Sequence, residues 1–370
     1  MLKSFLYKLS DHRRRQGLRY EIGSIWLCTI LAVLSGANSY RKIAKFIKKH
    51  YQQLSSLLGV EWKYQPSYTT IRAIIQETEA AALEKCFREY SAELSKGETS
   101  VQQIVIDGKT LKGSFDHFLD QKALQLLSFF MAESRIILAH EAIEVKTNEI
   151  PTAQELMQKL GLSGFLFSLD ALHCQQETLQ AAQESGNEVL VQVKANQPTL
   201  HKDCQVLAST QPAAEVYQEP FSKAHGRIES RRVSVFLEPD FTHASKWETV
   251  EAVLKVERFR QRFDTKTKSW KDSHETAFYV STLVLPAQEF CQVVRQHWEI
   301  ENCNHYVRDV SLGEDRSRIR TNPDRFARLR SFVLNIFRHN HIANIAEASF
   351  ENAIDINSCV CQMKSDPDDQ

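Results

Sequence analysis

The sequence predicts an α/β protein with a helical N-terminal segment and a β-rich insertion. Three observations carry this. Residues 1–95 repeat their apolar side chains at helical spacing. From 101 to 194, short apolar strands alternate with helices. Residues 205–285 turn strand-like and rich in turns before helix returns at 290–345. The chain has 370 residues, 42% hydrophobic and 25% charged. Those values fit a globular chain of two or three domains and exclude a wholly disordered or fibrous one.

In the first segment, the apolar run 25–37 is too short for a bilayer span, which needs about 20 residues. It reads as a buried helix, and with no targeting segment visible the expected location is the cytoplasm, in association with the nucleoid. A turn at Gly36-Ala37-Asn38-Ser39 precedes RKIAKFIKKH, where Ile43, Phe46 and Ile47 share a face and Lys42, Lys45, Lys48 and Lys49 lie around the rest. Pro66-Ser67 opens a third helix through 69–87, with Ser67 or Thr69 as its N-cap. Such helices suit a helix-turn-helix-like DNA reader or a subdomain that packs on its neighbour. The net charge is zero, yet residues 1–50 carry 11 Lys and Arg against 2 acids, a local +9 that suits a polyanion.

The strands 101–108, 124–132 and 134–143 form a meander. A helix at 151–159, a strand at 164–171, a helix at 175–185 and a strand at 188–194 follow. Asp107 and Asp170 each end an apolar strand, where ligand and catalytic groups gather in α/β sheets. Glu301 lies in RQHWEIENCNHYVRDV, which reads as a helix. Clustered carboxylates repel unless a cation neutralises them, and hard oxygen donors suit Mg²⁺ or Mn²⁺. From spacing alone a second reading stays open: a turn residue, a helix cap and a solvated acid. The eight cysteines form no CxxC pair and read as free thiols.

Several segments occur in order: IVIDGKTLKGS, KTNEI, FSLDALHCQQET, VKANQPTLHKD, HGRIESR, FYVSTL and HWEIEN…GEDRSRIR. Together with DHRRRQGLRYEI and LAVLSGANSYRKIAKF, they resemble bacterial insertion-sequence transposases of the DDE class, nearest the H-repeat family associated with Rhs elements. The resemblance runs from about residue 8 to 340. It implies a ribonuclease H-like catalytic core with the metal-binding, catalytic triad Asp107, Asp170 and Glu301. The 130 residues between Asp170 and Glu301 would hold the β-rich insertion.

The implied chemistry is phosphodiester cleavage at the element ends with two Mg²⁺ (or Mn²⁺) ions, followed by attack of the freed 3′-OH on target DNA. A homodimer on paired terminal repeats, with no membrane partner, is implied too. The expected divisions are a helical DNA-binding domain at 1–95, a catalytic domain at 96–345 with its insertion at about 205–285, and an acidic, disordered tail at 346–370.

Expected DNA contacts are Lys109 and Lys112 after the first Asp, Arg227 in the turn His225-Gly226-Arg227, Arg308, and the run Arg13, Arg14 and Arg15. A solvated turn is the alternative for the two lysines. His173 and Gln175 either support Asp170, touch DNA, or cap a helix. Related enzymes carry Tyr-x2-Arg-x3-Glu-x6-Lys around the glutamate. Here those positions are Val294, His297 and Arg308, so only the last basic charge is kept. Two rival functions stand beside the transposase: a nuclease without strand transfer, and a non-catalytic DNA binder descended from a transposase.

Overall fold

Residues Ile22–Leu34 form a helix that is buried on every face, which is why the run lacks any polar stripe. It is the second of twelve helices among the described residues of a computed structural model. That structure describes residues 1–11, 13, 18–96, 102–115, 122–143, 149–224, 226–264 and 266–364. In chain order the elements are α1 (Leu2–Leu6), α2 (Ile22–Leu34), α3 (Tyr40–Leu58), α4 (Tyr68–Glu77), α5 (Ala80–Leu94), β1 (Gln103–Thr110), β2 (Gln125–Met131), β3 (Ile137–Ile143) and α6 (Glu149–Lys159). There follow β4 (Leu166–Leu169), α7 (Gln176–Glu184), β5 (Glu188–Val193), α8 (Pro198–Thr210), β6 (Glu215–Gln218), β7 (Ser222–Ala224), β8 (Arg227–Leu237), β9 (Ala252–Asp264) and β10 (Ser269–Ser281). The last are α9 (Ala287–Ile300), α10 (Pro323–His339), α11 (Ile345–Ile354) and α12 (Ile356–Lys364). Among the described residues no helix is long and apolar enough to cross a membrane.

The chain divides into two units, each assembled from separated stretches. The first comprises 1–98, 108–147 and 300–370; the second comprises 99–107 and 148–299. In the first unit α10 is the central element, packing against α2, α4, α5, α12 and β3. Phe326, Leu329, Phe332, Val333, Ile336 and Phe337 are all buried, as their spacing predicts. So are Arg328, Arg330 and Arg338 of the same helix. Their charges are met inside: Arg328 pairs with Glu84 at 2.6 Å and Arg330 with Glu314 at 3.4 Å.

Two expectations are corrected here. The single helix expected over 69–87 is two, α4 and α5. Thr78 breaks it in an extended conformation (ψ 130°), its hydroxyl donating to the Ile74 carbonyl and accepting from the buried Trp26 indole. The disordered tail expected from 346 is instead helical through Lys364. Ile356, Cys359 and Val360 are buried there, and α12 packs on α2, α3 and α10. Composition misled because the acids crowd at its end while the apolar residues already sit at helical spacing. The acids of SDPDDQ from Asp366 on lie outside the described residues.

The second unit is a mixed sheet in the order β1-β4-β5-β10-β9-β8-β6, with β7 pairing β8. β1, β4 and β5 are parallel; β10 joins β5 antiparallel, and β9 and β8 continue as long antiparallel ribbons. Leu254, Val233, Val235 and Tyr279 pack with Phe290, Val293 and Val294 of α9 into one core. Parallel strands first and antiparallel ribbons second make this α/β architecture; the pairing of β1 with β4 ends at Ile106 and Leu169, and β1 runs on to Thr110, past the end the sequence predicts.

Candidate active site

Within the second unit, Ile106 of β1 stands opposite Leu169 of β4 in parallel register. The next residue of each strand is an aspartate, so Asp107 and Asp170 stand side by side where the pair ends. Both are half-buried. Asp170 also caps the short turn Ala171–His173, its Oδ1 accepting from the Leu172 amide at 3.0 Å. The cap and the site position are therefore the same carboxylate. His173 is buried and shares a hydrogen bond with Glu149 at 3.2 Å, which makes it a support of this turn. The Gln175 side-chain oxygen accepts from Gln197 at 3.1 Å.

A tie that sequence reasoning missed lies behind the two aspartates. Gln103 of β1 donates to Ser168 of β4 at 2.7 Å and to the Val293 carbonyl of α9 at 3.0 Å; His297 of α9 meets the same Ser168 hydroxyl at 3.1 Å. Burial lowers the His297 pKa to about 4, so the ring is neutral at pH 7. A polar residue at an inward strand position was the only signal for this tie, and it is a weak one.

Glu301 belongs to the first unit. It is exposed and opens a π-helical stretch, Glu301–His305 and Val307–Ser311, that the helical periodicity did not foretell. Wide π turns are rare and gather at functional sites. Inside this stretch Asn304 is fully buried, and neither amide atom has a hydrogen-bond partner among the described residues.

The basic residues expected on DNA take different places. Lys109 is 10% exposed and holds both Asp309 oxygens at 2.7 Å. Lys112 is exposed and reaches Asp315 at 3.0 Å. Arg308 corrects its expectation as a DNA contact. It is 2% exposed, with Nε and Nη2 on Glu314 at 2.8 and 2.7 Å and Nη1 on Ser331 at 2.7 Å, so no donor face is left for a phosphate. Burial raises the Glu314 pKa, but Arg308 and Arg330 outweigh it and hold the carboxyl at about 2.

Arg13 is bound to Asp11 and to the Tyr20 carbonyl, at 15% side-chain exposure. Arg227 is exposed, 3.4 Å from Glu229. Arg14, Arg15, His225 and the segment 144–148 lie outside the described residues. The structure thus brings Asp107 and Asp170 together within one unit and withdraws Arg308 and Lys109 into ion pairs.

Two adjacent carboxylates are hard oxygen donors of the kind Mg²⁺ and Mn²⁺ take. Among the described residues, no three His, Cys, Asp or Glu side chains form a metal-holding group. Residues 3–91 match the family described as DDE_Tnp_1-associated, and residues 102–336, more than half the chain, match the transposase DDE domain. The chain belongs to the DDE transposase family.

Asp107, Asp170 and Glu301 all fall inside the matched span. Several relatives bear transposase names. YncI of Escherichia coli O157:H7 is 28% identical over 344 residues, covering 91% of this chain and 87% of that protein. The H repeat-associated YhhI of Escherichia coli K12 is 26% identical over 341 residues, covering 90% and 89%. Among solved structures, the piggyBac transposase in a synaptic complex with hairpin DNA matches at a TM-score of 0.47 and 9% identity, over 98% of this chain and 79% of that one. The function of a DDE transposase, an enzyme that cleaves DNA, is therefore this chain's by family.

Proposed function

We propose that this DDE transposase cuts at the ends of its insertion sequence and joins the freed 3′-OH to target DNA, with Asp107, Asp170 and Glu301 holding two Mg²⁺ (or Mn²⁺) ions. The observation that carries the reading is the pair of aspartates that follow the last paired residues of two adjacent parallel strands, inside the family-matched span. Bound ions would supply activation of the attacking oxygen and neutralisation of the leaving one. The chain's own part is to hold these carboxylates in fixed places: the Leu172 amide orients Asp170, and the Gln103–Ser168–His297 tie fixes the strands behind both aspartates.

A ribonuclease H-like core is supported by the strand sequence, in which a β2–β3 hairpin follows β1 and β4 and β5 then align parallel to β1. Pairing of two element ends calls for two copies, so the acting form is a homodimer, and work on chromosomal DNA places it at the nucleoid. The exposed Lys112 and Arg227 remain suited to DNA phosphates.

The test is cleavage of a duplex bearing the flanking element ends, in Mg²⁺ or Mn²⁺, by wild type and by Asp107→Ala. Nicking by wild type alone supports the reading, and joining to a second duplex separates transposase from nuclease. Binding of verified ends with no cleavage overturns it in favour of a non-catalytic binder.

A further inference from the structure

We propose that α3 is a docking rail for the sugar–phosphate backbone of duplex DNA, a contact independent of base sequence; this rests on the transposase reading above. α3 carries five cations, Arg41, Lys42, Lys45, Lys48 and Lys49, and no acid in its 19 residues. At about 100° per residue the five fall within an arc of about 120°, opposite the buried face of Ile43, Ile47 and Leu54. All five side chains are exposed, and among the described residues none is paired with a carboxylate. Elsewhere in the first unit the exposed lysines stand singly: Lys85, Lys96 and Lys112 each reach an acid, and Lys3, Lys8 and Lys63 each reach a carbonyl or an aromatic ring.

A second observation points the same way. A groove of about 250 Å³ runs along the rail, and Lys42, Lys45, Lys49 and His50 line it with no carboxylate among its residues. Like charges brought to one concave place repel, and a polyanion that spans them relieves the repulsion. From Arg41 to Lys49 the helix rises about 12 Å, enough for successive phosphates on one strand. At the N-terminal end, Arg41 stacks 4.8 Å over Tyr68, where the exposed Ser67 and Thr69 begin α4. The cations are flexible lysines for the most part, point charges without the fork that reads guanine edges, so the contact serves affinity and not specificity.

The experiment measures binding of the full chain to a labelled 40-base-pair duplex carrying the element end, and to an unrelated duplex, across a salt series. Wild type is compared with the combined variant Lys42→Gln, Lys45→Gln, Lys48→Gln, Lys49→Gln. The variant is expected to bind both duplexes on the order of a hundred-fold more weakly, with the slope of log affinity against log salt smaller by about three. The four Lys→Arg changes should restore binding. Lys85→Gln should leave it unaltered.

Amine acetylation of the wild type, with and without duplex, reads the same surface with no variant: DNA should shield Lys42, Lys45, Lys48 and Lys49 and leave Lys85 open. An unchanged slope, or acetylation of those four lysines at the same rate with DNA bound, overturns the rail while leaving the transposase reading intact. If wild type binds neither duplex, the DNA reading itself fails and the rail with it.

Discussion

His297 Nδ1 lies 3.1 Å from the hydroxyl of Ser168, deep inside the second unit. Ser168 stands two residues before Asp170, and its other partner, Gln103, stands four before Asp107. His297 stands four before Glu301. One hydroxyl thus gathers the strand pair that ends in the two aspartates and the helix that runs toward the glutamate. Its three members are all buried, where hydrogen bonds are made in low dielectric and an orphaned partner is costly.

Removing that hydroxyl should therefore loosen the site from behind. Ser168→Ala leaves Gln103 and His297 short of a buried partner, a cost of about 1–3 kcal/mol. Urea unfolding should show the midpoint falling with little change in slope. End cleavage, measured well below that midpoint, should fall as well, because β4 positions Asp170. A variant with wild-type stability would show that water replaces the hydroxyl and that the tie holds nothing in place.

The same histidine makes stability depend on pH. In the folded chain the ring stays neutral down to about pH 4 because burial disfavours the cation. In the unfolded chain it takes up its proton near pH 6.5. Between those values the unfolded state binds one more proton, so stability is complete above about 6.5 and declines as pH falls toward 4. The slope from this one group is at most about 1.4 kcal/mol per pH unit. His297→Gln should flatten the acid side of the stability curve by about that amount. An identical curve would mean that His297 titrates normally in the folded protein.

Much of this was legible in the sequence, for identifiable reasons. Asp107 and Asp170 could be found because each follows a short apolar run, although β1 continues past Asp107 to Thr110 whereas β4 does stop at Leu169. The helix α3 follows from its apolar spacing, and of the two N-cap candidates Ser67 and Thr69 it is Ser67 that accepts from the Thr70 amide, at 3.2 Å.

What stayed hidden depended on distant partners. Arg308 reads as a free cation until Glu314 and Ser331 close around it. The break at Thr78 depends on Trp26, 52 residues away. The π turns after Ile300 leave no mark at helical periodicity, since a bulge of one residue per turn keeps the same residue types.

Lys109 and Asp309 offer a test of whether the loop after the first aspartate is a DNA contact or a clamp. Both carboxylate oxygens are at 2.7 Å and the lysine is nearly buried. Gly113 of the same loop lies so close to the backbone of Ser317 that an added Cβ would overlap its carbonyl oxygen. Lys109→Met should cost about 1–3 kcal/mol by leaving a half-buried carboxylate without its partner. Adding Asp309→Leu should recover much of that loss in a double-mutant cycle. Gly113→Ala should cost a similar amount, because backbone has to shift to admit the methyl group. If Lys109→Met instead keeps full stability and lowers only DNA affinity, the lysine is a phosphate contact.

Asp170 separates charge from shape. Its Oδ1 caps the turn Ala171–His173 through the Leu172 amide, which an asparagine oxygen can do equally well. Asp170→Asn should therefore melt within about 0.5 kcal/mol of wild type, while Asp170→Ala should lose about 1 kcal/mol with the cap. Cleavage of element ends should behave otherwise. Both variants lack the negative charge, so both should fall by roughly 10²–10³-fold or more. Thermal unfolding and a nicking assay on the same preparations separate the two effects. If Asp170→Asn retains cleavage within a few-fold of wild type, the carboxylate is only a cap, and the metal-holding role has to be carried by other residues.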